Sequence, residues 1–123
     1  MSVKDKQKIY VVQHIALEKY RENSLSKSYM LIELLKDFLK QESNEYNREA
    51  IGLICEYVAT IKKTSEYTDT IISECEPYKD SGKKIDGFKI TQEEYVILDD
   101  LMVVSAVCET HLYNLYNISL IPS

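Results

Sequence analysis

The chain has 123 residues, a net charge of −5, three Gly and two Pro. That length fits one domain able to bury a core without staples, and so few turn formers exclude a turn-rich all-β fold. Mild acidity, with only Arg21 and Arg48 as arginines among fifteen basic residues, argues against a general nucleic-acid binder.

Three cysteines, at 55, 75 and 108, form an odd set without CxxC spacing. They fit free thiols buried in a reducing cytoplasm. The opening Met1-Ser2-Val3-Lys4-Asp5-Lys6 lacks the apolar run of a secretory signal. No stretch offers the roughly 18 uncharged apolar residues of a membrane span. A cytoplasmic location is therefore the expectation, and the Asn117-Ile118-Ser119 sequon reads as accidental.

In chain order, the first predicted helix runs from Val3 to Glu22, with Ile9, Val12, Ala16 and Tyr20 on one face. Asn23 and Ser24 read as a loop. The second helix runs from Ser26 to Glu42 on Leu31, Leu34, Leu35 and Phe38, and Ser43-Asn44 ends it. The third starts at Glu45 and can reach Glu76, before Pro77. Ile54, Tyr57, Val58 and Ile61 form its stripe, and the polar run 62–70 predicts a kink. Residues 77–90 form a long linker. Within it, Asp86-Gly87 suggests a two-residue turn in a tiny hairpin over 84–89.

The last helix, Thr91 to Asn117, carries the strongest signals. Thr91 and Glu94 stand three apart, the spacing of a capping box. Ile97, Leu98, Leu101, Val104, Cys108, Leu112 and Leu115 form one wide apolar stripe. Val96, Val103 and Val107 form a second, opposite the first, among Asp99, Asp100, Thr110 and Asn114. One stripe can face the chain's own core, and the other asks for a second surface. The tail residues Ile118, Leu120 and Ile121 are expected to fold back.

The expected fold is therefore all-α: a single domain over 1–123, built as a four-helix up-down-up-down bundle with a long linker before the last helix. A three-helix body with the third helix split is the rival. Leu34, Leu35, Phe38, Ile54, Val58, Ile61, Leu98, Leu101, Val104 and Cys108 are expected in one shared core.

Chemistry is poorly represented. His14, Cys55 and Cys108 stand at matching heights in such a bundle, but only Cys108 points at the core, and His111 lies on a flank. No Glu-x-x-His pair is present for a di-iron site. Ser81-Gly82-Lys83-Lys84 lacks the earlier glycine, the Ser/Thr and the preceding strand of a phosphate loop. Neither arginine is followed by a histidine five residues on, as the helical RNases require. A Cys108–His111 nucleophile pair would need an exposed, activated thiol. No metal, cofactor or catalytic residue is assigned. Lys79, Lys83, Lys84 and Lys89 make the linker basic, as a solvated loop or as a contact for an acidic surface.

Ten tyrosines against two phenylalanines and no tryptophan suit either a binding surface or a wet bundle rim, with Tyr10, Tyr46, Tyr67, Tyr78, Tyr113 and Tyr116 at core edges, linkers or polar faces. The functional expectation is a non-enzymatic protein-binding module. A small cytoplasmic inhibitor or regulator fits, such as an immunity protein that neutralises a toxin or a phage-encoded inhibitor of a host system. Its contact face would be Val96, Asp99, Asp100, Val103, Val107 and Tyr113. The alternative is a structural homo-oligomer built on the same second stripe. The partner is another protein or a second copy, rather than nucleic acid or membrane.

Overall fold

A computed structural model describes residues 9–80, 82 and 85–120 of the chain. Among these the order is β1 (Ile9–Gln13), α1 (His14–Leu39), α2 (Glu45–Glu74), β2 (Glu76–Asp80), β3 (Ile85–Thr91) and α3 (Gln92–Tyr116). Three long helices and a three-stranded antiparallel sheet replace the expected four-helix bundle.

The helices share one packing rule. On α2 the buried positions Asn47, Ala50, Ile54, Tyr57, Ile61, Thr64, Thr68 and Ile71 alternate three and four apart, with Thr60 buried beside Ile61. That is the 3.5-residue repeat of coiled-coil packing. On α1 the buried residues Leu17, Ser24, Leu31 and Phe38 stand seven apart. On α3 Leu98, Cys108 and Leu112 are buried, with Leu101 and Ser105 partly covered between them. Helix α2 is central and packs on both α1 and α3.

This seam explains two corrections. The expected loop at Asn23-Ser24 does not form, because Ser24 is a buried seam position inside α1. Ser and Asn weaken a helix by only a few tenths of a kcal/mol each, which seam packing outweighs. The expected kink at 62–70 does not form either. The hydroxyls of Thr60, Thr64 and Thr68 donate to the carbonyls of Glu56, Thr60 and Thr64 at 2.9, 2.9 and 2.8 Å. Buried polar groups are thus satisfied within the helix itself, and α2 stays continuous.

The first predicted helix is also corrected. Its start at Val3 lies outside the described residues, and Ile9–Gln13 is a strand. The short run Ile9-Tyr10-Val11-Val12 is β-branched and aromatic, and a run that short fits either period. In the strand, Tyr10 and Val12 face the core while Val11 and Gln13 face out.

The sheet order is β1-β3-β2. The hairpin exists but is larger than expected and turns elsewhere. Asp80 pairs with Ile85, Gly82 stands in a turn between the two strands, and Asp86-Gly87 lies inside β3. Of the basic linker and the phosphate-loop segment, Ser81, Lys83 and Lys84 lie outside the described residues. Pro77 falls on β2, an edge strand, where its missing N–H is tolerated.

The core is two clusters rather than one. Leu31, Phe38, Ala50, Ile54, Tyr57, Ile61, Cys108, Leu112 and Leu120 form the first. Leu17, Ile71, Phe88, Ile90 and Leu98 form the second, under the sheet. Leu98 therefore leaves the shared core expected for it, and Val104 is exposed. After α3 the chain reverses at Asn117, which takes the left-handed conformation at φ 55°. Its N–H bonds to Tyr113 O at 2.9 Å and that of Ile118 to Leu112 O at 3.1 Å. The tail folds back as expected, with Leu120 buried and Ile118 packed on the first cluster. Ile121 lies outside the described residues.

Candidate interaction surface on the last helix

Helix α3 is held at both ends. At its start Thr91 Oγ1 accepts from Glu94 N–H at 3.1 Å, and Glu94 Oε1 accepts from Thr91 N–H at 2.7 Å. The capping box read from the sequence is present. The Cys75 thiol, just past α2, donates to Glu94 Oε2 at 3.3 Å. The Thr91 backbone N–H holds the Glu94 carboxyl below its ordinary range. Burial, then the Glu94 hydrogen bond and charge, pushes the Cys75 thiol up to about 11.

Aromatic pairs brace the same helix. Tyr10 of β1 stacks on Tyr95, ring centroids 4.6 Å apart. Tyr46 of α2 meets Tyr116 edge-on at 4.9 Å. Several of the tyrosines at element edges are thus pairing within the chain. Midway, Lys27 Nζ of α1 reaches Glu109 Oε2 at 2.9 Å, and the Tyr57 hydroxyl donates to the same oxygen at 3.4 Å.

These contacts fix which way α3 faces. Its inner side presents Leu98, Leu101, Ser105, Cys108 and Leu112 to α2 and the core. The six residues expected on a contact face, Val96, Asp99, Asp100, Val103, Val107 and Tyr113, all stand exposed, with Val103 at 53% and Tyr113 at 58%. The apolar surface is wider than expected. Ile97, Val104 and Leu115, read as part of the inner stripe, are exposed too. Ile97 and Val104 flank the covered positions Leu98, Leu101, Ser105, Cys108 and Leu112 without being among them, and Leu115 lies in the last turn of the helix. With Tyr95 and Met102, α3 exposes nine large apolar side chains.

Charge on this helix is one-sided. It carries Glu93, Glu94, Asp99, Asp100 and Glu109 and neither Lys nor Arg. Asp99 and Asp100 lie toward the N-terminal end of the outer face, and Thr110, His111 and Asn114 toward the other. Between them Val103, Ala106, Val107, Thr110 and His111 line a shallow groove of about 280 Å³. A second groove, of about 450 Å³, runs between Ala106, Thr110, Tyr113 and the returning tail at Ile118 and Leu120.

A further apolar stripe, not expected from the sequence, lies on α1. Leu25, Tyr29, Ile32 and Leu39 stand exposed on the back of α1. Leu25, Ile32 and Leu39 are seven apart, but the expected break at Asn23-Ser24 separates Leu25 from the helix that carries the other two. The back of α2 is polar, with Glu49, Glu56, Lys62, Lys63 and Glu66 exposed.

Reactive groups do not converge on the α3 face. Among the described residues no group of three or more His, Cys, Asp or Glu could hold a metal ion. His14 sits at the sheet end, 3.4 Å from Glu18 and with its ring 5.8 Å from that of Phe88. Cys55 is exposed, Cys75 partly covered and Cys108 buried, and all three are free thiols. Burial also pushes the Cys108 thiol upward. Among the described residues no helix is long and apolar enough to cross a membrane. Comparison with protein-family models, with curated proteins and with solved structures finds no match to this chain.

Proposed function

We propose that this chain is a non-enzymatic protein-binding module of the cytoplasm, with the outer face of α3 as its docking element. One observation carries the reading: nine large apolar side chains stand exposed on a single helix whose phase is locked by a capping box, two aromatic pairs and a buried seam. An apolar patch of that extent, with acidic groups at its margin, has the composition of a protein contact. Exposed valines and a methionine left in water forgo burial of about 25 cal/mol per Å².

A module of this kind works by occupancy. Covering another protein's surface requires shape and apolar area and no reactive group. A small inhibitor or regulator, as an immunity protein or a phage-encoded inhibitor would be, is the role this reading favours.

The test places a photo-crosslinking side chain at Val103 in living cells, with the same group at Glu49 on the polar back of α2 as control. A protein adduct at 103 and none at 49 supports the reading. No adduct at 103 defeats it. So does a purified Val103→Lys variant that loses its helical circular dichroism, because the stripe would then be internal.

A further inference from the structure

We propose that the occupant of the α3 face is a second copy of this chain, laid antiparallel across it. The proposal rests on the protein-binding reading of that face and narrows it: the protein bound there is a second copy, which any other target of the face would have to displace.

The outer residues follow their own heptad. Val96, Val103 and Thr110 stand seven apart, and so do Asp99, Ala106 and Tyr113. In an antiparallel pair of helices each row faces the other row of the partner. A two-fold axis between the levels of Val103 and Ala106 then matches every layer. Val103 meets the second copy's Ala106, Val96 meets its Tyr113, and Asp99 meets its Thr110. Each apolar layer sets a larger side chain against a smaller one, and the polar layer sets a carboxylate against a hydroxyl donor.

Charge selects the same direction. A parallel pair would set Asp99 and Asp100 beside their own copies, four carboxylates at one level with no Lys or Arg on the helix to offset them. Like charges so placed disfavour the pairing. The antiparallel pair separates the two acidic ends by about 16 Å along the axis. It brings Asp99 level with the Thr110 of the other copy and Asp100 level with its Glu109, whose carboxylate is held by Lys27 of its own α1.

Shape and area agree. Ala106 at the centre lets the helix axes approach closely, and the shallow groove beside it, lined by Val103, Val107 and His111, can receive a valine from the facing helix. Val96, Val103, Val107 and Tyr113, each about half exposed, lie on the face this pairing covers and with Ala106 offer on the order of 450 Å² per copy, whereas Ile97, Val104 and Leu115 stand on the flank away from it. A standard specific interface takes roughly 800 Å² per partner, and weak, transient pairings lie below that. The surface thus suits a reversible dimer.

The experiment is sedimentation equilibrium of the full chain from about 1 to 200 µM, a range that spans micromolar dissociation constants. The wild type should move from the 14.3 kDa of one chain to twice that mass. Val103→Lys should stay at one chain throughout, with unchanged helical circular dichroism. Thr110→Lys decides the direction. Antiparallel, the new ammonium meets Asp99 of the second copy, and the dissociation constant should fall roughly three- to tenfold. Parallel, it meets its own copy, and the dimer should weaken.

A wild type that remains one chain to 200 µM overturns the second copy as partner. The crosslink at Val103 then still decides whether the face binds another protein. A dimer untouched by a folded Val103→Lys places the contact elsewhere and overturns the proposal. So does a Thr110→Lys dimer that is weaker than wild type. A Val103→Lys chain that unfolds overturns both this inference and the reading beneath it.

Discussion

Gly87 of β3 lies so close to β1 that a β-carbon on it would overlap the carbonyl oxygen of Val12 and stand 3.0 Å from its carbonyl carbon. Gly87 pairs with Gln13 on one side and Tyr78 on the other, at the point where β1 passes into α1. The glycine serves close approach of two backbones. Gly87→Ala should therefore destabilise the fold by on the order of 1–3 kcal/mol. Gly52→Ala, on the exposed side of α2 with nothing within 4 Å of the added carbon, should stabilise it by about 0.5–1 kcal/mol. Urea denaturation of the two variants should move in opposite directions.

The α3 phase can be read in stability. Leu112 is fully buried in the first cluster, Leu101 is half-buried and Val104 exposed. Leu112→Ala should cost about 2–5 kcal/mol, Leu101→Ala clearly less, and Val104→Ala below roughly 0.5 kcal/mol. A larger loss at Val104 than at Leu112 in chemical denaturation would put the helix in the wrong phase.

Removing the cap should loosen the start of α3. Thr91→Ala deletes the acceptor of the Glu94 N–H and should cost about 1 kcal/mol. Amide hydrogen exchange should quicken first at Glu94 and its neighbours. Unchanged exchange there would mean that the Tyr10–Tyr95 stack alone holds the helix start.

Thiol chemistry should rank the cysteines. Thiolate is the reactive form, and access matters equally. Cys55 is exposed, Cys75 is shielded and pushed up to about 11, and Cys108 is buried. Iodoacetamide at pH 8, followed by peptide mass spectrometry, should label Cys55 first and leave Cys108 last. Unfolding in urea should erase the order. Early labelling of Cys75 would show that its hydrogen bond to Glu94 is not held.

Alkali should weaken the fold in a defined window. Burial, followed by the charge of Glu109, raises the Tyr57 hydroxyl above its ordinary value of 10.0, and burial raises Tyr67 and Tyr116 as well. Above pH 10 the unfolded chain loses these protons while the folded chain keeps them. The stability present below pH 10 therefore falls as pH rises beyond it. Urea midpoints at pH 9 and 11 should show the loss, and Tyr57→Phe should reduce it. Equal slopes for wild type and Tyr57→Phe would remove Tyr57 as the cause.

The sequence by itself determined the local features. Thr91 and Glu94 can satisfy each other wherever a helix begins, so the capping box was legible from spacing alone. The outward setting of Val96, Val103 and Val107 followed from their angle to Leu98, Cys108 and Leu112. The folded-back tail was signalled by its apolar residues. Tertiary structure decided the rest. Ile9–Val12 suits either period, and only pairing with β3 makes it a strand. Asn23-Ser24 and the threonine run look like breaks by propensity. They are helical because a seven-residue seam against neighbouring helices outweighs a few tenths of a kcal/mol per residue. Asp86-Gly87 has the composition of a turn, yet Gly87 is required where Val12 crosses it. Val104 and Leu115 belong to an apolar stripe by composition, but α2 and the tail cover only one side of α3. Which apolar residues are buried depends on how many neighbours a helix has, and that number is a property of the whole fold.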